Sequence, residues 1–136
     1  MPRHSSRSAL PAGLACLALA ALVPAHARPD VAVAYGGSGE HARCSMAVVE
    51  MGADQPAPLR AAPDAGARVL ARVNALVHIC DASDDGLWLG VIVAPAGAGD
   101  GHACLPEPLP SRRQPYTGPC RSGWVDAGHF FFLEEG

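Results

Sequence analysis

The chain contains no lysine; arginine supplies all ten of its basic residues. The missing lysine reflects composition bias and carries no functional meaning, but the sparse positive charge does. No basic patch of the size that nucleic-acid binding needs can be assembled, so nucleic acid is excluded as a partner. No apolar run approaches the roughly 20 residues of a membrane span. No C-x2-C or H-x3-H spacing occurs, and His41, His78, His102 and His129 are scattered, which argues against zinc. No Gly-x-Ser-x-Gly is present and no free cysteine with a partner base is expected, although His102 and Cys104 lie close in sequence, so the sequence offers no nucleophile for an enzyme and calls for no cofactor. Asp81, Asp84 and Asp85 lack the alternating oxygen ligands and closing Glu of a calcium loop, and read as a solvated turn. No segment after the first 27 residues shows a useful helical period.

The N-terminus has the three-part layout of a secretory signal peptide. Arg3, His4 and Arg7 form a positive start, Ala9 to Val23 is uncharged and apolar, and Ala25-His26-Ala27 places small residues where a signal peptidase reads. Cleavage after Ala27 is expected. Cys16 sits too early in the apolar run for a lipoprotein site. Removing residues 1–27 takes away two arginines and no acid. The remainder carries eight Arg against 13 Asp plus Glu, a formal charge of −5. Its length suits one domain.

Cleavage would leave Cys44, Cys80, Cys104 and Cys120. An even number of cysteines in a small exported chain reads as disulfides, in a periplasmic or secreted setting. Three pairings are possible. Loop closure favours Cys104–Cys120, and elimination then leaves Cys44–Cys80; the other pairings stay open at this point.

Residues 28–43 include Gly36-Gly37-Ser38-Gly39 and read as a flexible leader, in which Val31 and Val33 alternate. The folded part is expected over 44–136. Ser45 to Met51 is a short apolar strand, and Pro63-Asp64-Ala65-Gly66 is a turn in which Pro pre-sets φ. Val69 to Val73 and Leu76 to Cys80 alternate with period two, Asp81 to Gly86 is a hairpin turn, and Leu87 to Val93 is the return strand. That strand is apolar at nearly every position, which calls for burial on both faces or an edge covered by something else. Residues 94–121 form a long Pro-rich insert that cannot be a regular helix or a central strand. A Cys104–Cys120 bond would close it into a fixed lobe. Ser122 to Asp126 is a closing strand, followed by a tight turn at Ala127-Gly128-His129 and then Phe130-Phe131-Phe132-Leu133. The three phenylalanines cannot all face inward on one strand, so they either mark an interaction surface or close the sheet against the first strand. The class is all-β, with five or six short strands.

The ordered set Leu59-Arg60, Pro63 with Gly66, Val69-Leu70, Val77 with Ile79, Gly86-Leu87-Trp88 and Gly123-Trp124-Val125 with Phe131 to Leu133 resembles the bacterial SH3 (SH3b) family. The match runs from about Cys44 to Leu133. The insert before Gly123-Trp124-Val125 resembles an exported proteobacterial subgroup with cysteines at that place. Pro58 before Leu59, and Ala61-Ala62-Pro63 in place of a Ser-Gly-Pro turn, depart from the family pattern. The resemblance implies a small SH3-like barrel with a long disulfide-closed loop. It also implies non-catalytic binding of peptidoglycan stem peptides or of envelope proteins.

Five residues form the expected ligand-binding set: Trp88, Arg112, Arg113, Tyr116 and Trp124. Either tryptophan could simply pack, or could floor a peptide groove, and Trp88 leads into the insert. Arg112 and Arg113 could hold a carboxylate in a two-pronged geometry with Tyr116 beside them, or could serve only the loop's own solubility. Two other functions fit the same sequence: a secreted inhibitor of a cell-wall hydrolase that inserts the rigid loop, and an accessory subunit of an envelope complex.

Overall fold

A computed structural model describes residues 29–38, 44–49, 56–95 and 104–131, together with Pro2, Ala9, Leu10, Ala12 and Gly13. The expected signal peptidase site, Cys16, Met51, Phe132 and Leu133 lie outside the described residues. The described chain is all-β. Its strands are β1 (Ala34–Tyr35), β2 (Ser45–Val49), β3 (Ala57–Arg60), β4 (Val69–Val73), β5 (Leu76–Ala82), β6 (Trp88–Val93), β7 (Gln114–Pro115), β8 (Arg121–Asp126) and β9 (Phe130–Phe131).

Hydrophobic alternation sets the central hairpin. β5 and β6 pair antiparallel from Val77↔Val93 to Ala82↔Leu89. Their connection is organised by Asp85, whose Oδ1 accepts from the Ser83 hydroxyl at 2.5 Å and from the Leu87 amide at 3.0 Å. Gly86 takes φ 71° there, which a side chain would resist. The expected turn began at Asp81, but β5 runs on to Ala82. A register shift between Ile79 and Asp81 places one extra residue in β5. This bulge breaks the alternation, so the consecutive Cys80 and Asp81 both serve the same outer face of the sheet.

β8 adds to the other side of β6 over its whole length, from Trp88↔Asp126 to Val93↔Arg121. The seven-stranded sheet has the order β4-β3-β8-β6-β5-β2-β9. Every neighbouring pair is antiparallel. The sheet is strongly curled. Only Asn74 and Ala75 connect β4 to β5, yet three strands separate them in the sheet. A flat sheet would put those strands about 19 Å apart, and three Cα steps reach only about 11 Å. The curl wraps one core, in which Leu59, Val77, Val91 and Val125 from the middle of the sheet meet Val73 from β4 and Val49 and Phe130 from β2 and β9. The barrel nevertheless does not close: no described residue pairs β4 with β9. The all-β class is as expected; in place of the small SH3-like barrel of five or six strands, the described residues form an unclosed, curled sheet of seven, in which the order ends at β4 and β9.

A second core lies on the outer face. Ile92, Cys80 and Trp124 there pack against Val33 and Tyr35 from the N-terminal segment and against Cys104 and Tyr116 from the insert. This explains why β6 is apolar on both faces: Val91 points into the first core and Ile92 into the second. Residues 29–38, expected as part of a flexible leader, form instead a strap across the sheet. The Val31 amide donates to the Ala61 carbonyl at 2.8 Å, and the Tyr116 amide donates to the Val33 carbonyl at 2.8 Å. β1 and β7 form a separate two-stranded ladder, Ala34↔Pro115 and Tyr35↔Gln114.

Both disulfides join the preferred partners, Cys44–Cys80 and Cys104–Cys120. The first crosses from the start of β2 to its neighbour β5; the second closes the insert. Phe130 and Phe131 pair with β2 at Val49 and Val48, and the Phe130 side chain is buried in the first core.

Candidate ligand-binding site

The five residues singled out from the sequence do not form one open groove. Trp124 is 3% exposed, and its indole Nε1 donates to the Val31 carbonyl at 2.8 Å, which fastens the strap. Tyr116 is 7% exposed. Its hydroxyl donates to the Cys104 carbonyl at 2.7 Å and accepts from the Cys120 amide at 3.2 Å, so it cross-braces the insert next to the disulfide. Burial raises the Tyr116 pKa above its ordinary value, outweighing the amide of Cys120, which lowers it. Arg113 stays exposed but is engaged: it pairs with Asp81 and also donates to the Cys80 carbonyl. Trp88 is half-buried and packs against the outer core. Only Arg112 is exposed without a hydrogen bond or ion pair to another described residue.

Asp81 was read as a turn residue and proves to be the hub of the outer face. Its Oδ2 accepts from the Ala34 amide at 2.8 Å, its Oδ1 accepts from the Ala82 amide at 2.8 Å, and Arg113 neutralises it. Gly90 makes room for this arrangement, since a Cβ there would lie 2.6 Å from the Cβ of Asp81. The alternation pattern conceals this role, because a bulge is not written in hydrophobic periodicity.

Four of the described carboxylates share one end of the sheet, with Arg113 paired to one of them. Asp81, Asp84, Asp85 and Asp126 gather at the β5–β6 turn, because Asp126 pairs with Trp88 at that end. The Ser83 hydroxyl and the Leu87 amide hold Asp85 below the usual carboxylate range. At the opposite end of β6, about 17 Å away at strand rise, Val93 pairs with Arg121. Arg121 and Arg72 there line a groove of about 490 Å³ with Asn74, Val93, Pro95 and Pro119. That size and the mixture of apolar walls with a few polar groups are those of ligand sites. Neither guanidinium makes a hydrogen bond or ion pair with another described residue, and no described carboxylate lines the groove. Sequence reasoning overlooked this pair, since 49 residues separate its members and only the pairing of β8 with β3 and β6 unites them. Two other concavities differ in character. One of about 440 Å³ lies between Met46, His78 and the insert residues Leu105 to Leu109, and carries Glu107. A smaller one of about 220 Å³ lies where the strap crosses β8.

Among the described residues no group of three or more His, Cys, Asp or Glu side chains is placed to hold a metal ion, and no helix is long and apolar enough to cross a membrane. Two disulfides accord with an oxidising compartment. No protein-family model, curated protein or solved structure matches this chain.

Proposed function

We propose that the chain is a non-catalytic binding module of the bacterial envelope, acting in the periplasm or outside the cell. Its ligand is a carboxylate-bearing peptide, either the stem peptide of peptidoglycan or a segment of an envelope protein. The observation that carries this reading is the Arg72–Arg121 groove, which presents two guanidinium groups without a partner among the described residues, in a chain whose net charge is negative. Guanidinium forks suit carboxylates in both charge and geometry. The SH3b-like order of motifs supports the same class of function. The groove replaces the Trp88–Arg112–Arg113–Tyr116–Trp124 set as the working site, because three of those five side chains are engaged within the protein.

Sedimentation with purified peptidoglycan sacculi tests the reading on the oxidised chain from Arg28 to Gly136. The wild type is expected to co-sediment, Arg72→Ala/Arg121→Ala to lose about tenfold in affinity, and Arg112→Ala/Arg113→Ala to stay within about twofold of wild type. Equal binding by all three would rule out the groove. No binding by the wild type would remove peptidoglycan and leave the envelope-protein arm, read by pull-down with the same variants.

A further inference from the structure

The strand that leads into this groove is also, among the described residues, an edge of the sheet. β4 pairs with β3 on one side, and no described residue pairs with its other side. Natural sheets usually blunt such an edge with Lys, Pro, inward charge or a very short strand. β4 is not blunted in this way. It is five residues of Val-Leu-Ala-Arg-Val, with Val69 42% and Leu70 38% exposed. A row of unpaired amides and carbonyls on an apolar, β-branched strand is the template that an extended peptide uses when it adds to a sheet. β4 then runs N to C directly into the groove, where Arg72 and Val73 form part of the wall. A peptide lying parallel to β4 therefore carries its C-terminus toward Arg72 and Arg121.

We propose that the free edge of β4 accepts the extended C-terminal tail of a partner protein as an added parallel strand, with the tail's α-carboxylate held by Arg72 and Arg121. This rests on the carboxylate-binding reading above and chooses between its two ligands. A continuous ladder needs regular L-residues joined by main-chain amides. Stem peptides, with alternating chirality and side-chain amide links, cannot supply one. Main-chain bonds to β4 give affinity with little sequence preference, and the groove gives polarity of binding.

The probe is a pool of degenerate octapeptides in three forms: free acid, C-terminally amidated, and free acid with alternate backbone amides N-methylated. Hydrogen exchange at the amides of Val69 to Val73 reports strand addition, and calorimetry reports affinity. The free-acid pool is expected to slow exchange along β4. Amidation should weaken binding about tenfold, and N-methylation should abolish the protection. In Arg72→Ala/Arg121→Ala, acid and amide should bind alike. Tight free-acid binding with no protection of β4 would overturn strand addition while sparing the carboxylate groove. Equal binding of acid and amide by the wild type would overturn the groove as well. Failure of every pool at about 1 mM, whether or not muropeptides bind, would overturn the proposal.

Discussion

Tyr116 shows how much one oxygen can hold. Through its hydroxyl it joins the carbonyl of Cys104 to the amide of Cys120, so it spans the same segment as the disulfide between those residues. Tyr116→Phe keeps the ring and leaves both backbone groups without this partner inside the protein. The expected loss is about 2 kcal/mol, read from the urea midpoint at pH 7. The pH dependence has a fixed sign. Burial raises the pKa of Tyr116 in the folded state, so the fold favours the neutral phenol. Its contribution is intact below the unfolded value near 10 and is lost as pH rises through the folded value. Urea midpoints between pH 8 and 11 should fall more steeply for wild type than for Tyr116→Phe; parallel curves would contradict this account. Nothing in the sequence marks Tyr116 as a brace rather than a binding residue. It stands beside two arginines in a Pro-rich segment, and only the position of the Cys104 carbonyl decides its role.

Among the elements, the two disulfides differ in what they constrain. Cys44–Cys80 spans 36 residues and Cys104–Cys120 spans 16. In the chain-entropy account, removing the first by paired Cys→Ala substitution should cost about 4 kcal/mol and removing the second about 3 kcal/mol. Chemical denaturation of the two double variants measures both. A larger loss for Cys104–Cys120 would show that the packed insert, rather than unfolded-chain entropy, dominates. The strands themselves were largely legible. Period-two alternation located β4, β5 and β6, and the apolar run at Leu87 to Val93 announced burial on both faces. The bulge at Cys80 and the assignment of Asp81 to β5 were not legible, since they depend on which β6 residue each faces.

In the whole molecule, the strap and the insert cover the sheet's outer face together. Val33 and Tyr35 are buried there against Trp124, Ile92 and Cys80, although glycines next to them suggest a linker. A chain beginning at Gly37 would lose the burial of two large side chains, the Ala34–Asp81 hydrogen bond and the indole bond to Val31. Its stability should drop by at least about 4 kcal/mol. Its tryptophan emission should shift to the red as Trp124 meets water. Unchanged emission and melting temperature would show that the strap is dispensable.

Sequence alone determined the all-β class, because alternation and proline placement exclude helices. It also determined the count of cysteines available for pairing and the acidic balance of the folded part. Tertiary structure decided the rest. It joined the four described cysteines in two pairs, since pairing follows from which segments the fold brings together. It left the sheet open, since closure depends on how far β4 and β9 curl toward each other. It buried Trp124 and Tyr116, bound Arg113 to Asp81 and brought Arg72 and Arg121 to one groove, since residues far apart in the chain meet only when strand order is fixed.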